Sequence, residues 1–368
     1  MKIAYLVHNL NDPAVERRCV MLERGGATVR LAGFCRDEHL SAPITARHPL
    51  LLGRSRDAAM LQRAVATIKA TAFNAKLRKF FSNCEIVMAR NLEQLCIARA
   101  IVGARPLVYE CLDIHRSLVG TDARARAIQA IEARLLSRSD LLLTSSPAFV
   151  DKHFSTTPLD CPIELVENKL LVANAVQFRR PPQRSPDNSL RIGWFGMLRC
   201  ERTLRVLKDL VTANENIAIL IAGKPSKAVF PDFESAVNGH PRIEFAGEYQ
   251  YADLPALYGK CHFAWTIDWF EEGENSSWLL PNRIYEAVAH ACVPLALSCI
   301  EVGRWLEQRN IGLLVDDPEQ VSQTLSNLEP RDINALQQKV MEVSRSDVLA
   351  DDTDCRKLVN RLAATIRL

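Results

Sequence analysis

Three side chains that could bind a phosphorylated sugar lie close together in the C-terminal half of the chain. Asn282, Arg283 and Glu286 share one face at the start of a helix that the apolar spacing predicts behind a proline. A helix N-terminus favours an anion, an adjacent arginine suits a phosphate, and a carboxylate one turn later can accept two hydroxyl hydrogens from a ribose diol. The alternative is an ordinary surface ion pair between Arg283 and Glu286, which have the spacing for it.

A pair of arginines follows the first predicted strand of the same half. That strand leads to Gly196, where the missing side chain would let a ligand approach the backbone closely. Arg199 and Arg202 open the next helix, and two guanidinium groups three residues apart could clamp a diphosphate. The alternative is a solvated helix face.

In the N-terminal half, two acids and a histidine follow a buried strand that ends at Tyr109. Glu110, Asp113 and His115 would lie at the carboxyl end of that strand, where open α/β sheets place their sites. Asp113 or His115 could serve there as a general base. The alternative is structural, with Asp113 capping the following helix and His115 packing beneath it.

These groups need a scaffold that brings several strand ends together. Apolar runs alternate with helical stretches such as Ala14–Arg24 and Asp122–Ser137, which predicts parallel, doubly wound α/β sheets. The predicted strands span residues 3–7, 28–32, 86–89, 107–109, 141–144 and 163–166 in the first half, and 192–195, 217–222, 243–245, 263–267, 295–297 and 313–315 in the second.

A polar, proline-rich stretch, RRPPQRSPDNS at residues 179–189, separates the two halves and is typical of a linker. We therefore predict one Rossmann-like domain over residues 1–178 and a second over residues 190–350, facing each other across a cleft. Residues 351–368 have the apolar spacing of a C-terminal helix.

The segment LPNRIYEAVAHACVPLA resembles the N-K-x-x-E-x-x-A-x-G-x-P-V segment of the GT-B fold glycosyltransferases that use nucleotide sugars. The likeness is greatest to bacterial, family 4-like enzymes of exopolysaccharide assembly. The resemblance implies that Glu286 grips the ribose of the donor and that the C-terminal helix crosses back to the first domain. The chain departs from the pattern at Arg283, where the family has Lys, and at Trp278, where many members carry a second Glu.

Further segments of the C-terminal half are similar to the same family. Residues 193–202 resemble G-R-L-x-x-x-K-G, whose basic residues hold the diphosphate; the family's Lys falls on Arg202, and Arg199 is the candidate for its Arg. The resemblance places Lys224 at the same phosphate site. It places Tyr249 beside the nucleotide base, where the ring could stack on uracil or simply pack against the protein.

The N-terminal half carries a weaker resemblance. Residues 107–115 are similar to the family's (V/L)-Y-(D/E)-x-x-D-(I/L)-(H/Y) segment, which faces the transferred sugar and the acceptor. The resemblance implies that Asp113 is the base if the enzyme inverts the anomeric centre, and that it only orients the substrates if the enzyme retains it. His8 and Asn9 would line the acceptor cleft.

Bulk properties limit the other possibilities. The 368 residues suit two domains, and a net charge of +3 argues against a generic nucleic-acid binder. No apolar run approaches the roughly 20 residues that cross a bilayer, and the N-terminus enters a strand at once, so we expect a cytoplasmic protein. The 11 cysteines are scattered without a C-x-x-C pair, so we expect reduced core residues, no metal site and no cofactor beyond the nucleotide sugar.

Residues 54–79 hold seven basic side chains and one acid, interleaved with apolar residues. Such a helix could lie on the anionic inner face of a membrane, and an ordinary solvated helix face is the alternative. Peripheral attachment there would suit a lipid-linked acceptor.

The sequence as a whole predicts a hexosyltransferase that moves sugar from a nucleotide sugar, most simply a UDP-sugar, to a saccharide acceptor in surface or exopolysaccharide biosynthesis. Positive groups at the diphosphate would stabilise the leaving nucleotide. Two alternatives stay open, a nucleotide-sugar epimerase of the same fold and a degenerate glycosyltransferase that acts as a non-catalytic partner.

Overall fold

A computed structural model describes residues 1–54, 74–156, 159–172, 189–317 and 320–367. The chain divides into two compact units. The first comprises the described residues of Met1–Glu167 and Ala350–Leu368, and the second those of Asn168–Leu349. Each unit is built around its own parallel sheet, so the predicted α/β class with two Rossmann-like domains is confirmed.

The first unit contains a seven-stranded sheet in the order β3-β2-β1-β4-β5-β6-β7, in which all neighbouring strands are parallel. The strands are β1 (Lys2–Val7), β2 (Thr28–Cys35), β3 (Leu50–Arg54), β4 (Ile86–Arg90), β5 (Leu107–Cys111), β6 (Leu141–Thr144) and β7 (Ile163–Leu165). Six of them follow the predicted runs. The sequence analysis did not predict β3, an edge strand that is only partly buried and whose short run of three leucines ends at Gly53.

Helices connect these strands, and their starts carry the expected polar caps. The Asp12 carboxylate accepts from the Ala14 amide at 2.9 Å, and the Asp122 carboxylate accepts from the Ala125 amide at 2.7 Å. The α-helices of this unit are Pro13–Arg24, Ala42–Thr45, Asn74–Phe80, Leu92–Ile101, Ala123–Leu136, Pro147–Lys152 and Asp352–Ala364, and the 3₁₀ turns are Arg116–Leu118, Phe154–Thr156 and Thr365–Arg367.

The C-terminal helix Asp352–Ala364 packs against helix Pro13–Arg24 of the first unit. Gly25 ends the earlier helix at this contact, where an added Cβ would overlap the Cys355 carbonyl oxygen. Beside it, the Arg24 Nε donates to the Asp352 carboxylate at 2.6 Å. The last helix therefore belongs to the fold of the N-terminal half of the chain.

The second unit contains a six-stranded parallel sheet in the order β11-β10-β9-β12-β13-β14. The strands are β9 (Leu190–Leu198), β10 (Ile217–Pro225), β11 (Ile243–Phe245), β12 (Phe263–Trp265), β13 (Val293–Leu297) and β14 (Leu313–Val315); two short strands, β8 (Leu170–Leu171) and β15 (Leu349–Ala350), form a separate pair. The strand order reverses between β9 and β12. At such a switch point the loops diverge and leave a crevice for ligands.

The helices of the second unit follow its strands in the usual alternation. They are Glu201–Ala213, Phe233–Val237, Leu254–Tyr258, Asn275–Trp278, Asn282–Ala289, Glu301–Glu307, Gln320–Ser326, Pro330–Glu342 and Arg345–Val348, with one 3₁₀ turn at Tyr251–Asp253. In helix Asn282–Ala289 the predicted inner face is buried, since Ile284, Ala287 and Val288 are 0% exposed. Asn282 and Arg283 lie at its N-terminal end, outside that face.

The unit boundary falls earlier than the sequence analysis placed it. The division lies between Glu167 and Asn168, and Leu170 packs into the core of the second unit. The Asn168 side chain also donates to the Leu280 carbonyl oxygen of that unit at 3.2 Å. The predicted linker, residues 179–189, lies outside the described residues except for Ser189.

Most of the basic segment at residues 54–79 also lies outside the described residues. Arg54 ends β3 and donates to the Glu38 carbonyl oxygen at 2.7 Å, so it does not open a helix as the sequence analysis assumed. Helix Asn74–Phe80 exposes Lys76 and Lys79 and buries Leu77. Within the described part of the chain, no helix combines the length and apolar character that spanning a membrane requires.

Candidate functional site

At the carboxyl ends of β9 and β10, beside the switch point of the second unit, two glycines leave a surface without side chains. We call this surface, formed by Gly196 and Gly223, the glycine floor. Gly196 and Gly223 are register partners on these strands, with φ angles of 111° and 145° that favour glycine. A Cβ on Gly223 would overlap the Gly196 carbonyl oxygen. The Gly223 amide donates to the Gly247 carbonyl oxygen at 2.8 Å, which brings the loop after β11 to the same edge.

Two arginines from different elements meet above this edge on one carboxylate, Asp268, in the loop after β12. The Arg199 Nη2 lies 3.6 Å from the Asp268 Oδ2, and the Arg283 Nη2 lies 3.7 Å from the same oxygen. The Arg283 side chain is 14% exposed and that of Asp268 is 16% exposed. Asp268 therefore links Arg199, which follows β9, with Arg283 at the start of helix Asn282–Ala289.

Arg283 is only half satisfied by this contact. Its Nη1 is buried and has no hydrogen-bond partner among the described residues. An unpaired buried donor on a charged group is costly, and a guanidinium presents its donors in a fork that matches two phosphate oxygens. The geometry therefore leaves a donor ready for an anionic ligand beside the glycine floor.

Arg199 and Arg202, whose three-residue spacing predicts one clamp, contact different carboxylates in the structure. The Arg202 Nη1 lies 3.0 Å from a Glu272 carboxylate oxygen, and its guanidinium stacks 4.5 Å from the centre of the Trp269 ring. Arg199 instead stacks on Phe270 at 4.4 Å while it faces Asp268. The arginine that shares a carboxylate with Arg199 is Arg283.

Glu286 lies one turn into helix Asn282–Ala289 and is held by a buried tyrosine. The Tyr258 hydroxyl donates to the Glu286 Oε2 at 3.0 Å, and Tyr258 is 0% exposed. Burial, followed by the charge of Glu286, raises the pKa of Tyr258 well above its ordinary value of 10.0, so the hydroxyl remains a donor. Glu286 thus contacts Tyr258, and Arg283 contacts Asp268.

Tyr249 lies beside the same carboxylate. Its ring meets Phe195 edge-on, with centroids 6.4 Å apart, and Phe195 in turn meets Tyr258 at 4.8 Å. Burial, and then the charge of Glu286, raises the pKa of Tyr249 above its ordinary value of 10.0. Tyr249 thus packs in part against the protein, which was one of its two predicted roles, and it lies close to Glu286.

The remaining nucleotide-site candidates lie at the rim. Asn282 is exposed at the first turn of its helix, and Lys224 is exposed at the end of β10, opposite Met197 of β9. Trp278, which stands at the position of the missing acid, ends the short helix Asn275–Trp278.

The first unit contains a buried ionic network at its own switch point, between β1 and β4. Glu110 is 0% exposed in β5 and accepts from the Arg18 Nε at 2.6 Å and from the Arg90 Nε at 2.8 Å. The Tyr5 hydroxyl also donates to it. Although burial favours the protonated form, Arg90 and Arg18 outweigh it and lower the pKa of Glu110 to about 2.

This network corrects the prediction for the strand that contains Tyr109. The strand continues through Cys111, so Glu110 belongs to the core of the sheet and not to the loop. Alternation along β5 turns Glu110 toward the two arginines, while the Tyr109 hydroxyl donates to Glu132 at 3.0 Å.

Asp113 and His115 lie in the loop after β5, and both are exposed. The structural alternative was wrong in its assignment of the cap. His115, not Asp113, caps the 3₁₀ turn Arg116–Leu118, since its Nδ1 accepts from the Ser117 amide at 3.2 Å.

His8 and Asn9 follow β1 at the same sheet edge. The His8 Nε2 lies 3.7 Å from Asp12, whose carboxylate also lies 3.5 Å from the Arg90 Nη1. The Asn9 side chain accepts from the Arg36 amide at 3.4 Å. Both residues of this predicted acceptor pair are therefore linked to neighbouring strand ends.

Sequence reasoning did not single out three side chains that the structure places in these two networks. The sequence analysis gave no role to Asp268, Tyr258 or Arg90. The signal for Asp268 was present, because an acid in the loop that follows a buried strand is a site position in this class of sheet. No local pattern marked Arg90, because its partner Glu110 is 20 residues away in the chain.

Comparisons with known proteins agree on the fold. No protein-family model matches the chain. The sucrose-phosphate synthase of Thermosynechococcus elongatus superposes with a TM-score of 0.70 at 14% identity, covering 100% of this chain and 99% of the synthase. HepE of Anabaena, solved in complex with UDP and glucose, superposes with a TM-score of 0.68 at 15% identity over 99% of this chain and 100% of HepE.

The two parallel sheets and this similarity define the GT-B fold of glycosyltransferases. The succinoglycan biosynthesis protein ExoL of Rhizobium meliloti strain 1021 is 38% identical over 376 residues, covering 99% of this chain and 93% of ExoL. The chain belongs to the ExoL family of exopolysaccharide biosynthesis proteins. The predicted resemblance to exopolysaccharide-assembly proteins of the GT-B fold is confirmed.

Proposed function

We propose that the chain transfers a sugar from a UDP-sugar to a saccharide acceptor in exopolysaccharide assembly. The observation that carries this proposal is the convergence of Arg199 and Arg283 beside the glycine floor, where the buried Arg283 Nη1 has no hydrogen-bond partner within the part of the chain that the structure describes. HepE, of the same fold, binds UDP and glucose, and ExoL serves succinoglycan biosynthesis, which supports the choice of donor and pathway class.

In this proposal the donor lies across the carboxyl ends of β9 and β10. Gly196 and Gly223 admit the diphosphate close to the backbone, and the start of helix Asn282–Ala289 adds its positive end. Arg283 and Arg199 bind the diphosphate oxygens. Asn282, Lys224 and Arg202 add polar and positive groups at the rim.

Glu286 accepts the two ribose hydroxyl hydrogens. The donated hydrogen bond from Tyr258 fixes its carboxylate and leaves acceptor capacity for the ligand. Tyr249, packed edge-on against Phe195, is placed to bound the uracil ring.

The guanidinium groups carry the electrostatic part of the chemistry. As the bond between the anomeric carbon and the diphosphate breaks, negative charge grows on the leaving oxygen, and Arg283 and Arg199 stabilise it. This scheme assigns the stabilising charge to the protein's own cations.

We propose Asp113 as the base for the acceptor hydroxyl, if the anomeric centre is inverted. It lies in the exposed loop after β5, the strand that the buried Glu110 network fixes in place. His115 orients the loop through its cap on Ser117, and His8 and Asn9 border the acceptor at the neighbouring strand end. If the centre is retained, Asp113 orients the acceptor and the leaving diphosphate assists the attack.

We also propose that the acceptor is linked to a lipid and that the protein binds peripherally to the inner face of the membrane. Lys76 and Lys79 are exposed on helix Asn74–Phe80, on the side opposite the buried Leu77. Each such charge contributes about 1 kcal/mol near an anionic surface before screening. Binding to vesicles with and without anionic lipid tests this part separately.

A donor screen tests the function directly. Purified protein is incubated with radiolabelled UDP-, GDP- or dTDP-sugars and a membrane lipid extract, and label transferred to the extract is counted. Transfer from a UDP-sugar supports the proposal. Epimerised UDP-sugar in the absence of any acceptor would contradict it in favour of an epimerase, and nucleotide binding without turnover would indicate a non-catalytic partner.

A further inference from the structure

Asp268 stands out because it occupies the centre of the positive site. Its Oδ2 faces both Arg199 and Arg283, at 3.6 and 3.7 Å. A diphosphate bound by the same two guanidinium groups would meet this carboxylate at close range. Either Asp268 moves aside, or it remains and opposes the ligand's charge.

The carboxylate is held in place by its own loop. The Asp268 Oδ1 accepts from the Phe270 amide at 3.0 Å, and the Phe270 ring lies 4.4 Å beneath the Arg199 guanidinium. The Asp268 side chain is 16% exposed, so water screens it only in part. The loop therefore fixes a negative charge beside the two positive ones.

We propose that Asp268 is a resident counter-ion that competes with the diphosphate for Arg199 and Arg283. The inference rests on the proposed function and adds a residue that sets how tightly the nucleotide is held. In the empty site Asp268 keeps both guanidinium groups in position. In the loaded site its charge opposes the diphosphate, so that the nucleoside diphosphate left after transfer is released.

Arg283 contacts Asp268 through one of its two terminal nitrogens, which differs from a two-point arginine–carboxylate salt bridge. Asp268 occupies the Nη2 side, while the Nη1 is buried without a partner among the described residues. A closed ion pair would satisfy both nitrogens. The open donor lets an anion bind Arg283 while Asp268 stays beside the Nη2 and opposes the anion's charge.

The test compares Asp268→Asn with the natural protein by calorimetry. Asparagine keeps the oxygen that accepts from the Phe270 amide and removes the charge. The ligands are UDP, inorganic pyrophosphate as a probe without base or ribose, and uridine as an uncharged probe. Stopped-flow displacement gives the dissociation rate of UDP.

We expect the variant to bind UDP and pyrophosphate about tenfold more tightly, since one opposing unit charge is removed at short range from a partly exposed site. UDP dissociation should slow by a similar factor, and uridine binding should change less than twofold. If Asp268 served only to orient the arginines, the variant would bind UDP more weakly. Weaker or unchanged UDP binding overturns the inference.

Glu272→Gln is the matched control, because it removes the same charge from the same loop. Glu272 is 58% exposed and pairs with Arg202, whose side chain is 41% exposed, so solvent screens it and UDP affinity should change less than twofold. If Asp268→Asn does not fold, Asp268→Ser, which also lacks the charge, is used in its place. An equal gain of affinity in Glu272→Gln would contradict a local role for Asp268.

The outcomes separate this inference from the function on which it rests. If the natural protein bound no nucleoside diphosphate and no pyrophosphate, the nucleotide-sugar proposal would fail, and this inference with it. If the natural protein binds them and Asp268→Asn gains nothing, only the counter-ion role is wrong.

Discussion

The Tyr258 hydroxyl donates to the Glu286 carboxylate at 3.0 Å from a fully buried position. This bond fixes the carboxylate that the sequence motif assigns to the ribose, and it comes from a different helix, Leu254–Tyr258. A carboxylate oriented in this way can accept two further hydrogen bonds and keep the one from Tyr258. The pair is therefore the structural basis of ribose recognition in the proposed site.

Glu286→Gln should remove the preference for a ribose diol. We expect the natural protein to bind UDP about tenfold or more tightly than 2′-deoxy-UDP, since a hydrogen bond to a charged group contributes about 1.5 to 3 kcal/mol. The variant should bind both ligands with similar, weaker affinity in calorimetry. Glu307→Gln, at an exposed position of helix Glu301–Glu307, is the control and should keep the preference.

Gly223→Ala should abolish UDP binding and destabilise the second unit. The added Cβ would overlap the Gly196 carbonyl oxygen and push apart the two strand ends. Gly239→Ala is the control, since Gly239 also has a positive φ, 84°, but has open space around its Cβ position. It should cost only about 1 kcal/mol in urea unfolding and leave UDP binding intact. Equal behaviour of the two variants would show that the glycine floor has no special role.

Glu110→Gln should destabilise the first unit strongly above pH 5. The variant leaves Arg18 and Arg90 buried without their shared counter-charge, and breaking such a pair costs about 3 kcal/mol or more. Urea unfolding at pH 7 measures the loss. Glu164→Gln, which breaks the exposed pair with Arg361, should change the free energy of unfolding by no more than about 1 kcal/mol.

The pH dependence of the same network has a defined sign. The pKa of Glu110 is about 2 in the folded protein against an ordinary value of 4.5, so its contribution is complete above pH 4.5 and is lost as the pH falls toward 2. The difference in stability between the natural protein and Glu110→Gln should shrink over this window. A difference that did not change between pH 6 and pH 3 would contradict the assignment.

Asp113→Asn should lower kcat by about 100-fold or more if Asp113 is the base, with the dissociation constant of the donor unchanged. Asp122→Asn is the control, because Asp122 caps helix Ala123–Leu136 and should affect stability by about 1 kcal/mol without affecting kcat. Unchanged turnover in Asp113→Asn would remove its catalytic role.

The sequence predicted the scaffold well because parallel strands carry their own signal. Buried on both faces, strands such as β1 and β9 appear as short apolar runs between helical stretches, and the glycine turn and the helix start at Pro281 are also local features. The half-exposed edge strand β3 has only a three-leucine run before Gly53, and the sequence analysis did not predict it.

The pairing of side chains was not predictable in the same way. Arg199 and Arg202 are three residues apart and look alike in sequence, yet one faces Asp268 and the other Glu272. Glu110 looked like a loop acid because its arginine partners, Arg18 and Arg90, are distant in the chain. Such contacts depend on which strand ends become neighbours, and no local spacing encodes that.

The measurement that tests the central claim most directly is UDP binding by Arg283→Met. This variant removes the guanidinium whose buried Nη1 lacks a hydrogen-bond partner among the residues that the structure describes. Arg304→Met, at a half-exposed arginine beside Glu301, is the control. The account predicts that calorimetry shows at least a tenfold loss of UDP affinity in Arg283→Met, no loss in Arg304→Met, and no change in uridine binding by either. UDP affinity in Arg283→Met equal to that of the natural protein would contradict a diphosphate site at this position.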